Sequence, residues 1–430
     1  MPDTTSDVPS GPARAPRRVG ARFVSLAGVP GAVGFFAASS LGRFGVAMSG
    51  LGLLWTVRHY SGSFATAGIV VGAFAFGEAL LGPRAARAMD RYGQTRILPL
   101  LVAVHAIALA LLVVGVVTGA HAVGLCVAAV LAGGSIPQSG SLSAVRWAYV
   151  LADPDLLVTA FSLEAVANDV AFLVGPAVVV AIGALTWPVL GTVIAAALVL
   201  GGGVGLALQN SSAPPPAPRI AEGQLRACDS GVRCLFSRGF VALLVVNVAL
   251  GALFGTLQVA VSATVVDHHA VALGGVVYAV MSVTSLISGL VYGSIRRPWP
   301  PRRVLLVVSA YLVVATGLLQ VTTGMVALAV GLGLIGVAVA PLLVVSAVLT
   351  EQVVPAGALT QAFAWLGSAS AAGLATAAAG AGAAIQAHGT SAGFLTATTA
   401  AITMVLAAIA GRHHLSPTPH DAHRRTAGTP

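Results

Sequence analysis

Three ionisable residues of this sequence stand inside long apolar stretches, where a charge is costly. They are Arg43, Glu78 and Asp169. A charged side chain at the middle of a membrane helix costs about 2.5–3.5 kcal/mol on insertion scales, so it marks an ion pair or a path for ions and solutes. Asp169 is a candidate proton carrier, and a structural ion pair, with Arg43 among the possible partners, is an equal alternative.

The positions of the first two charges predict that they meet. Arg43 precedes the polar turn around Tyr60 by about as many residues as Glu78 follows it. At 1.5 Å per residue the two side chains lie at similar depth on adjacent antiparallel helices. The sequence therefore predicts that Arg43 and Glu78 pair, or that both face one polar cavity. Glu164, nearer the end of its apolar stretch, is expected at the membrane interface.

The composition requires a lipid environment for the elements that position these charges. Hydrophobic residues make up 57% of the chain and charged residues only 8%, against about 25% charged in soluble domains. A membrane-spanning helix needs about 20 largely apolar residues. This criterion predicts an all-α membrane protein with twelve transmembrane helices, near residues 31–55, 64–83, 97–118, 123–145, 158–183, 188–208, 239–263, 272–294, 304–323, 325–349, 361–386 and 391–410.

One polar, proline-rich segment divides the twelve helices into two sets of six. The predicted organisation is an N-terminal tail (1–30), a six-helix bundle (31–208), a central loop (209–238), a second bundle (239–410) and a disordered tail (411–430). The halves also resemble each other. Shifts of 202, 204 and 207 residues relate three pairs at equivalent span positions: Ala160-Phe161 with Ala362-Phe363, Pro137 with Pro341, and Gly82 with Gly289. Two pseudo-symmetric bundles related as parallel repeats are expected.

The arginines predict the orientation in the membrane. With both termini in the cytoplasm, every arginine except Arg43 and Arg58 falls on the cytoplasmic side, as the positive-inside rule requires. The net charge of +9 therefore reflects topology. No basic stripe with interleaved aromatic residues is present, which argues against nucleic acid as a partner. The expected location is the cell membrane, with multiple passes through the lipid bilayer.

The loop after the second predicted helix carries a recognisable motif. It reads Gly82-Pro-Arg84-Ala-Ala-Arg87-Ala-Met-Asp90-Arg91-Tyr-Gly93-Gln-Thr-Arg96, and we refer to residues 82–96 as the signature loop. It resembles the signature of the major facilitator superfamily, whose pattern ends in Asp-Arg-x-Gly followed by basic residues. The twelve helices and the central loop agree with that family over nearly the whole chain.

The residue types of the signature loop have physical roles. Gly93 permits a tight turn, and Arg87, Arg91 and Arg96 hold the loop on the cytoplasmic side. Asp90 is expected to cap the positive N-terminal end of a helix in the opposite half, near residues 360–363. The resemblance implies that this contact latches the cytoplasmic side shut. The alternative is that the charges only set the topology.

A second, partial resemblance concerns the fifth predicted helix. Gly175-Pro176 resembles a Gly-Pro motif of proton-coupled exporters in the superfamily. Val178 and Val179 replace the paired glycines that normally follow, which weakens the assignment to antiporters. Five polar residues are candidates for lining a central cavity, although hydrogen bonds to neighbouring helices are at least as good an explanation for each: Asn168, Asn247, Gln258, Tyr278 and Ser282.

These observations favour a secondary transporter that works by alternating access. The preferred function is proton-coupled export of small amphiphilic compounds by a monomer, powered by a proton gradient without cofactor or metal. An importer of sugars or organic acids is the alternative within transport, but the second half offers few polar residues for such substrates. A non-transporting sensor or membrane enzyme is a further alternative. It is disfavoured because the sequence shows no nucleotide-binding loop, metal spacing or Ser-His-Asp arrangement.

Overall fold

A computed structural model describes residues 19–185, 188–216, 235–269, 273–295, 299–321 and 324–415. Within these ranges the regular structure is entirely helical. Twelve helical spans are long and apolar enough to cross a membrane, which confirms the predicted fold class. The outer parts of both predicted tails, residues 1–18 and 416–430, and residues 217–234 of the predicted central loop lie outside the described ranges.

Fourteen α-helices make up this part of the chain, and a short 3₁₀ turn at Ala356–Ala358 precedes the thirteenth. In chain order they are α1 (Val19–Ala27), α2 (Ala32–Ser61), α3 (Phe64–Tyr92), α4 (Gln94–Val117), α5 (Ala122–Ser135), α6 (Ser139–Val150), α7 (Pro154–Leu185), α8 (Pro188–Leu208), α9 (Arg238–Asp267), α10 (Gly274–Ser294), α11 (Pro301–Leu319), α12 (Met325–Val353), α13 (Leu359–His388) and α14 (Thr390–Gly411).

Two features of the helices differ from the sequence prediction. Helix α1 falls within the predicted tail, and Arg22 on it pairs with Asp155 at the start of α7, at 3.3 Å. The fourth predicted span is broken at Pro137 into α5 and α6, because proline cannot donate the backbone hydrogen bond that a continuous helix needs. Its repeat counterpart Pro341 lies inside the unbroken helix α12, so the two halves differ at this point.

Glycines bring helix backbones into direct contact at matching places in the two halves. A Cβ atom on Gly133 of α5 would lie 1.9 Å from the carbonyl oxygen of Phe74 on α3. A Cβ atom on Gly336 of α12 would lie 2.2 Å from the carbonyl oxygen of Met281 on α10. In lipid, such close approach through small residues stabilises helix packing. Shifts of 203 and 207 residues relate the two contacts, so the internal repeat extends to the packing.

The two halves meet along two interfaces. Helix α3 packs against α13, and α7 packs against α10 and α12. Phe161 of α7 and Phe363 of α13, which the sequence analysis paired as repeat equivalents, contact each other across the halves with ring centroids 6.2 Å apart. Residues equivalent by a two-fold repeat meet where the repeat axis passes. The contact between Phe161 and Phe363 therefore lies close to the axis that relates the two halves.

Candidate functional site

Arg43 and Glu164 form a buried ion pair inside the first half. Both residues are less than 10% exposed, and the guanidinium Nη2 contacts the carboxylate Oε2. Arg43 also donates from Nη1 to the backbone oxygen of Glu164 at 2.8 Å. Ser143 and Trp147 donate to the carboxylate Oε1 at 2.5 and 2.7 Å. The carboxylate thus joins α2, α6 and α7 through charge-assisted hydrogen bonds.

This pair corrects two sequence-based predictions. The counter-ion of Arg43 is Glu164, and neither Glu78 nor Asp169 pairs with it in the described structure. Glu164 is also not interfacial. It lies ten residues into α7, about 15 Å along the helix axis, and is buried against α2 and α6. Sequence reasoning missed it because the predicted span began four residues too late.

The second half carries a neutral version of the same arrangement. Shifts of 203–204 residues relate Arg43 to Asn247 and Ser143 to Ser346. Asn247 donates from Nδ2 to Ser346 at 2.9 Å and to the carbonyl oxygen of Leu243 at 2.8 Å. The amide of this predicted cavity residue is therefore engaged in holding α9 to α12. The charge that the first half uses for helix contacts has no counterpart here.

Asp169 connects the two halves directly. Its Oδ2 accepts a hydrogen bond of 2.6 Å from the hydroxyl of Ser285 on α10. The same interface continues toward the N-terminal start of α7, where the Thr159 hydroxyl donates to the carbonyl oxygen of Gly293 at 2.8 Å. No arginine or histidine pairs with Asp169 in the described structure. The alternative of an ion pair with Arg43 is thus excluded for this conformation.

At the other interface, Glu78 occupies the place equivalent to that of Ser285. The shift of 207 residues that relates Phe74 to Met281 also relates Glu78 to Ser285. A shift of 202 residues relates Asp169 to Ala371 on α13. The interface of α7 and α10 therefore contains the carboxylate of Asp169 and the hydroxyl of Ser285. The interface of α3 and α13 contains the carboxylate of Glu78 and the methyl group of Ala371. No hydrogen bond or ion pair joins the half-buried Glu78 to any described residue.

The signature loop contacts the opposite half as predicted. Asp90 accepts hydrogen bonds from the backbone amides of Thr360 and Gln361, at 3.2 and 2.9 Å. These amides belong to the first turn of α13, where the positive end of the helix dipole favours a carboxylate. Gly93 adopts the left-handed region with φ +91°. Arg87, Arg91 and Arg96 are exposed, as residues at a polar surface.

The contact between α3 and α13 does not extend along the whole interface. Ser368 of α13 still donates to the carbonyl oxygen of Ala79, at 3.2 Å. Farther from the signature loop, Gly68 and Gly72 lie on the same face of α3, and a Cβ atom on either would meet nothing within 4 Å. The halves are therefore joined at the signature-loop end and separated at the opposite end of this interface.

The other predicted cavity residues have different environments. The Tyr278 hydroxyl donates to the carbonyl oxygen of Leu257 at 2.8 Å, so it serves helix packing. Asn168 and Ser282 are half-buried. Gln258 lines a cavity of about 550 Å³ at the end of α9 remote from the signature loop, together with Ser262 and Asp267.

The predicted Gly-Pro motif has a packing role in this structure. A Cβ atom on Gly175 would lie 3.1 Å from the Ala47 side chain and 3.3 Å from that of Met48, so the glycine admits α2 close to α7. Pro176 lies inside the helix. Gly82 approaches the break between α5 and α6 in the same way, since its Cβ would lie 2.5 Å from the Gln138 side chain.

Sequence reasoning assigned Arg146 only to topology, but the structure gives it a wider role. Its side chain is 0% exposed and donates to the carbonyl oxygens of Leu206 and Gln209 at 2.8 and 3.0 Å. It also donates to the Ser212 hydroxyl at 3.0 Å and to Oε1 of Gln94 at 3.1 Å. Arg146 thus caps the C-terminal end of α8 and ties it to the residue that follows Gly93.

Two bundles of six membrane spans, joined at one end and carrying carboxylates at their interfaces, define the architecture of an alternating-access transporter. The chain belongs to the major facilitator superfamily, whose sequence profile matches residues 33–322. It is accordingly a multi-pass membrane transporter and not an enzyme. Comparison with the sequences of curated proteins returned no match.

Two solved structures have the same fold. The human organic anion transporter MFSD10 superposes with a TM-score of 0.67 at 18% identity, over 88% of this chain and 98% of that one. A bacterial homologue of the iron transporter ferroportin, in an outward-facing state, gives a TM-score of 0.72 at 13% identity, over 89% and 99%. At such low identity these similarities establish the fold alone.

Proposed function

We propose that this transporter exports small amphiphilic compounds in exchange for protons across a cell membrane, with the signature loop and both termini in the cytoplasm. The observation that carries the proposal is the hydrogen bond between Asp169 and Ser285. It places a titratable group of one half directly on the surface that must change when the halves rock. A proton on this carboxylate therefore acts on the conformational equilibrium and not only on local charge.

The coupling follows from the difference in hydrogen bonding between the ionised and the protonated carboxyl group of Asp169. The ionised carboxylate requires donors, and Ser285 supplies one only while α7 and α10 remain in contact. The protonated carboxyl group has less need of that donor, so the separated interface costs less once a proton is bound. A proton that favours one state of the interface shifts the population toward that state. Proton entry on one side and release on the other then drive the cycle.

Two further observations support export of amphiphilic compounds. With the signature loop in the cytoplasm, the halves are closed toward the cytoplasm and separated toward the outside, and Asp90 holds the closed side. The polar groups of Asn247 and Tyr278 are engaged in helix contacts, which leaves the second half a largely apolar surface. Such a surface suits compounds with an apolar body better than sugars.

Replacement of Asp169 by asparagine is expected to abolish substrate-driven proton movement. Asparagine keeps the volume and the acceptor for Ser285 but carries no exchangeable charge. The measurement uses inside-out vesicles with an imposed pH gradient, challenged with cationic, anionic and neutral amphiphiles while the lumenal pH is followed. The matched control is Asp155→Asn, at the exposed end of the same helix, which is expected to behave as the wild type. Unchanged coupling in Asp169→Asn would reject the carrier role.

In the Asp90→Ala variant, the two halves are expected to separate more often at the signature-loop end. The first-turn amides of Thr360 and Gln361 lose their acceptor, and the helix dipole loses its counter-charge, worth about 0.3–2 kcal/mol. Phe363→Cys, in a chain whose three native cysteines are replaced by serine, reports on opening through its rate of maleimide labelling. We expect labelling to accelerate several-fold in Asp90→Ala. Asp153→Asn neutralises an exposed carboxylate at the same end, keeps an acceptor for the Asp155 backbone amide and is the control. Equal rates in all three proteins would show that the loop charges only set topology.

A further inference from the structure

We propose that the substrates carry a positive charge and that Glu78 is the carboxylate that binds it. This inference rests on the proposed transport function and narrows it to organic cations with an apolar body. The charge balance of the interior and the position of Glu78 at the interface of the halves support it independently.

The charge balance of the interior favours a cation. Arg43 is neutralised by Glu164, and Arg146 is bound to four neutral acceptors at the signature-loop end. Glu78 and Asp169 have no basic partner in the described structure. Within the described residues, Glu78 and Asp169 are therefore carboxylates at the interfaces of the halves with no basic residue paired to them, whereas Arg146 lies away from them at the signature-loop end. A cationic ligand supplies the missing charge, whereas an anion adds to the repulsion.

The face of α3 that bears Glu78 is turned away from lipid. The exposed apolar residues Ile69, Phe76 and Leu80, which are 60%, 60% and 44% exposed, lie on the opposite side of the helix. The neighbours of Glu78 in sequence contact protein: Gly77 meets α5 and Ala79 meets α13. At 100° per residue Glu78 falls between these two contacts. Its carboxylate thus belongs to the protein interior.

The pseudo-symmetry explains why this carboxylate is available for a ligand. At the equivalent interface Asp169 is satisfied by Ser285 at 2.6 Å. Opposite Glu78 the corresponding residue is Ala371, which is exposed in this conformation and offers no donor. A partly buried charge without a partner is destabilising unless something else compensates it. The ammonium or phosphonium group of a substrate meets that need, and the small side chain of Ala371 leaves room for its apolar body.

The outer cavity has the same electrostatic character. Its volume is about 550 Å³, and its charged lining residue is Asp267, beside the side-chain oxygens of Gln258 and Ser262. Asp267 ends helix α9, where the negative pole of the helix dipole also favours cations. Asp267 therefore makes this end of the second half more favourable for cations than for anions.

Two ions of nearly equal size and opposite charge provide the test. Tetraphenylphosphonium and tetraphenylborate are compared for equilibrium binding to the purified full-length protein. We expect tetraphenylphosphonium to bind and tetraphenylborate to bind at least tenfold more weakly. Glu78→Gln is expected to raise the Kd for the cation at least tenfold, and Glu78→Asp is expected to restore part of the affinity. Asp155→Asn is the control, and melting temperatures identify any variant that fails to fold.

Three results would overturn the inference: preferential binding of the borate, absence of binding for both ions, or an unchanged cation affinity in folded Glu78→Gln. The proposed function is tested separately by imposing a pH gradient on vesicles that contain the protein. If tetraphenylphosphonium binds through Glu78 but no gradient moves it, cation recognition stands and proton-coupled export fails. If a gradient moves anionic amphiphiles instead, export stands and cation recognition fails.

Discussion

Replacing Glu164 by glutamine is expected to lower the free energy of unfolding by about 3–5 kcal/mol, the usual cost of removing one partner of a buried ion pair. Glutamine preserves the shape and an acceptor for Ser143 and Trp147, so the loss isolates the charge. Arg43, which is 7% exposed, is then left with an uncompensated positive charge between α2, α6 and α7. Thermal unfolding in detergent, compared with the wild-type protein, measures the effect.

The double variant Arg43→Met/Glu164→Gln is the decisive comparison. It removes both charges while keeping the acceptor, and buried pairs replaced by neutral residues of similar volume often recover their stability. We expect the double variant to be more stable than Glu164→Gln alone. If the double variant is instead as unstable as the sum of the two single variants, the residues are energetically independent. The charges would then not stabilise each other in the membrane.

The error about the partner of Arg43 shows where the sequence information ends. Depth along a helix can be counted from a turn at 1.5 Å per residue, and Arg43, Glu78 and Glu164 all lie well inside their helices. Which of them meet depends on the rotation of each helix about its axis. A helix that is apolar on all sides carries no pattern that fixes this rotation. The sequence alone therefore could not show that Glu164, and neither Glu78 nor Asp169, is the partner of Arg43.

Other features were predictable because their signals are local. The twelve spans follow from length and hydropathy alone, since an unpaired backbone cannot cross a lipid core. The contact of Asp90 with the first turn of α13 was predicted from the signature loop, in which a glycine makes the turn, the arginines face the cytoplasm and the aspartate caps a helix. The internal repeat, found from pairs such as Phe161 and Phe363, also describes the interfaces between the two halves. It relates Glu78 to Ser285 and Asp169 to Ala371, so a carboxylate with a donor at one interface can be compared with a carboxylate without one at the other.

Arg146 was missed because its two possible roles look alike in a sequence. An arginine near the end of a span fits the positive-inside rule whether it faces water or folds back into the bundle. Its four acceptors are more than fifty residues away in sequence, and two of them are the backbone carbonyl oxygens of Leu206 and Gln209. Every residue carries a backbone carbonyl oxygen, so residue types do not indicate which carbonyl accepts from Arg146. No sequence motif could therefore have identified these contacts.

Replacing Arg146 by alanine is expected to destabilise the protein by at least about 3 kcal/mol, since hydrogen bonds from a charged donor contribute about 1.5–3 kcal/mol each and four are lost. Lysine is expected to restore less than half of this loss. Its ammonium group is a single point, and only the planar guanidinium reaches acceptors on several sides at once. Arg84→Ala, at an exposed arginine, is the control and should change stability by less than about 0.5 kcal/mol.

Arg146→Ala is also expected to weaken the contact between Asp90 and the first turn of α13. Arg146 holds the Gln94 side chain, and Gln94 directly follows the turn at Gly93. A loosened turn shifts Asp90 relative to the first turn of α13, so labelling of Phe363→Cys is expected to accelerate in Arg146→Ala as it does in Asp90→Ala. In the double variant the two accelerations are expected to be less than multiplicative, since both act on one contact. Fully multiplicative rates would mean that Arg146 stabilises the first half without positioning the signature loop.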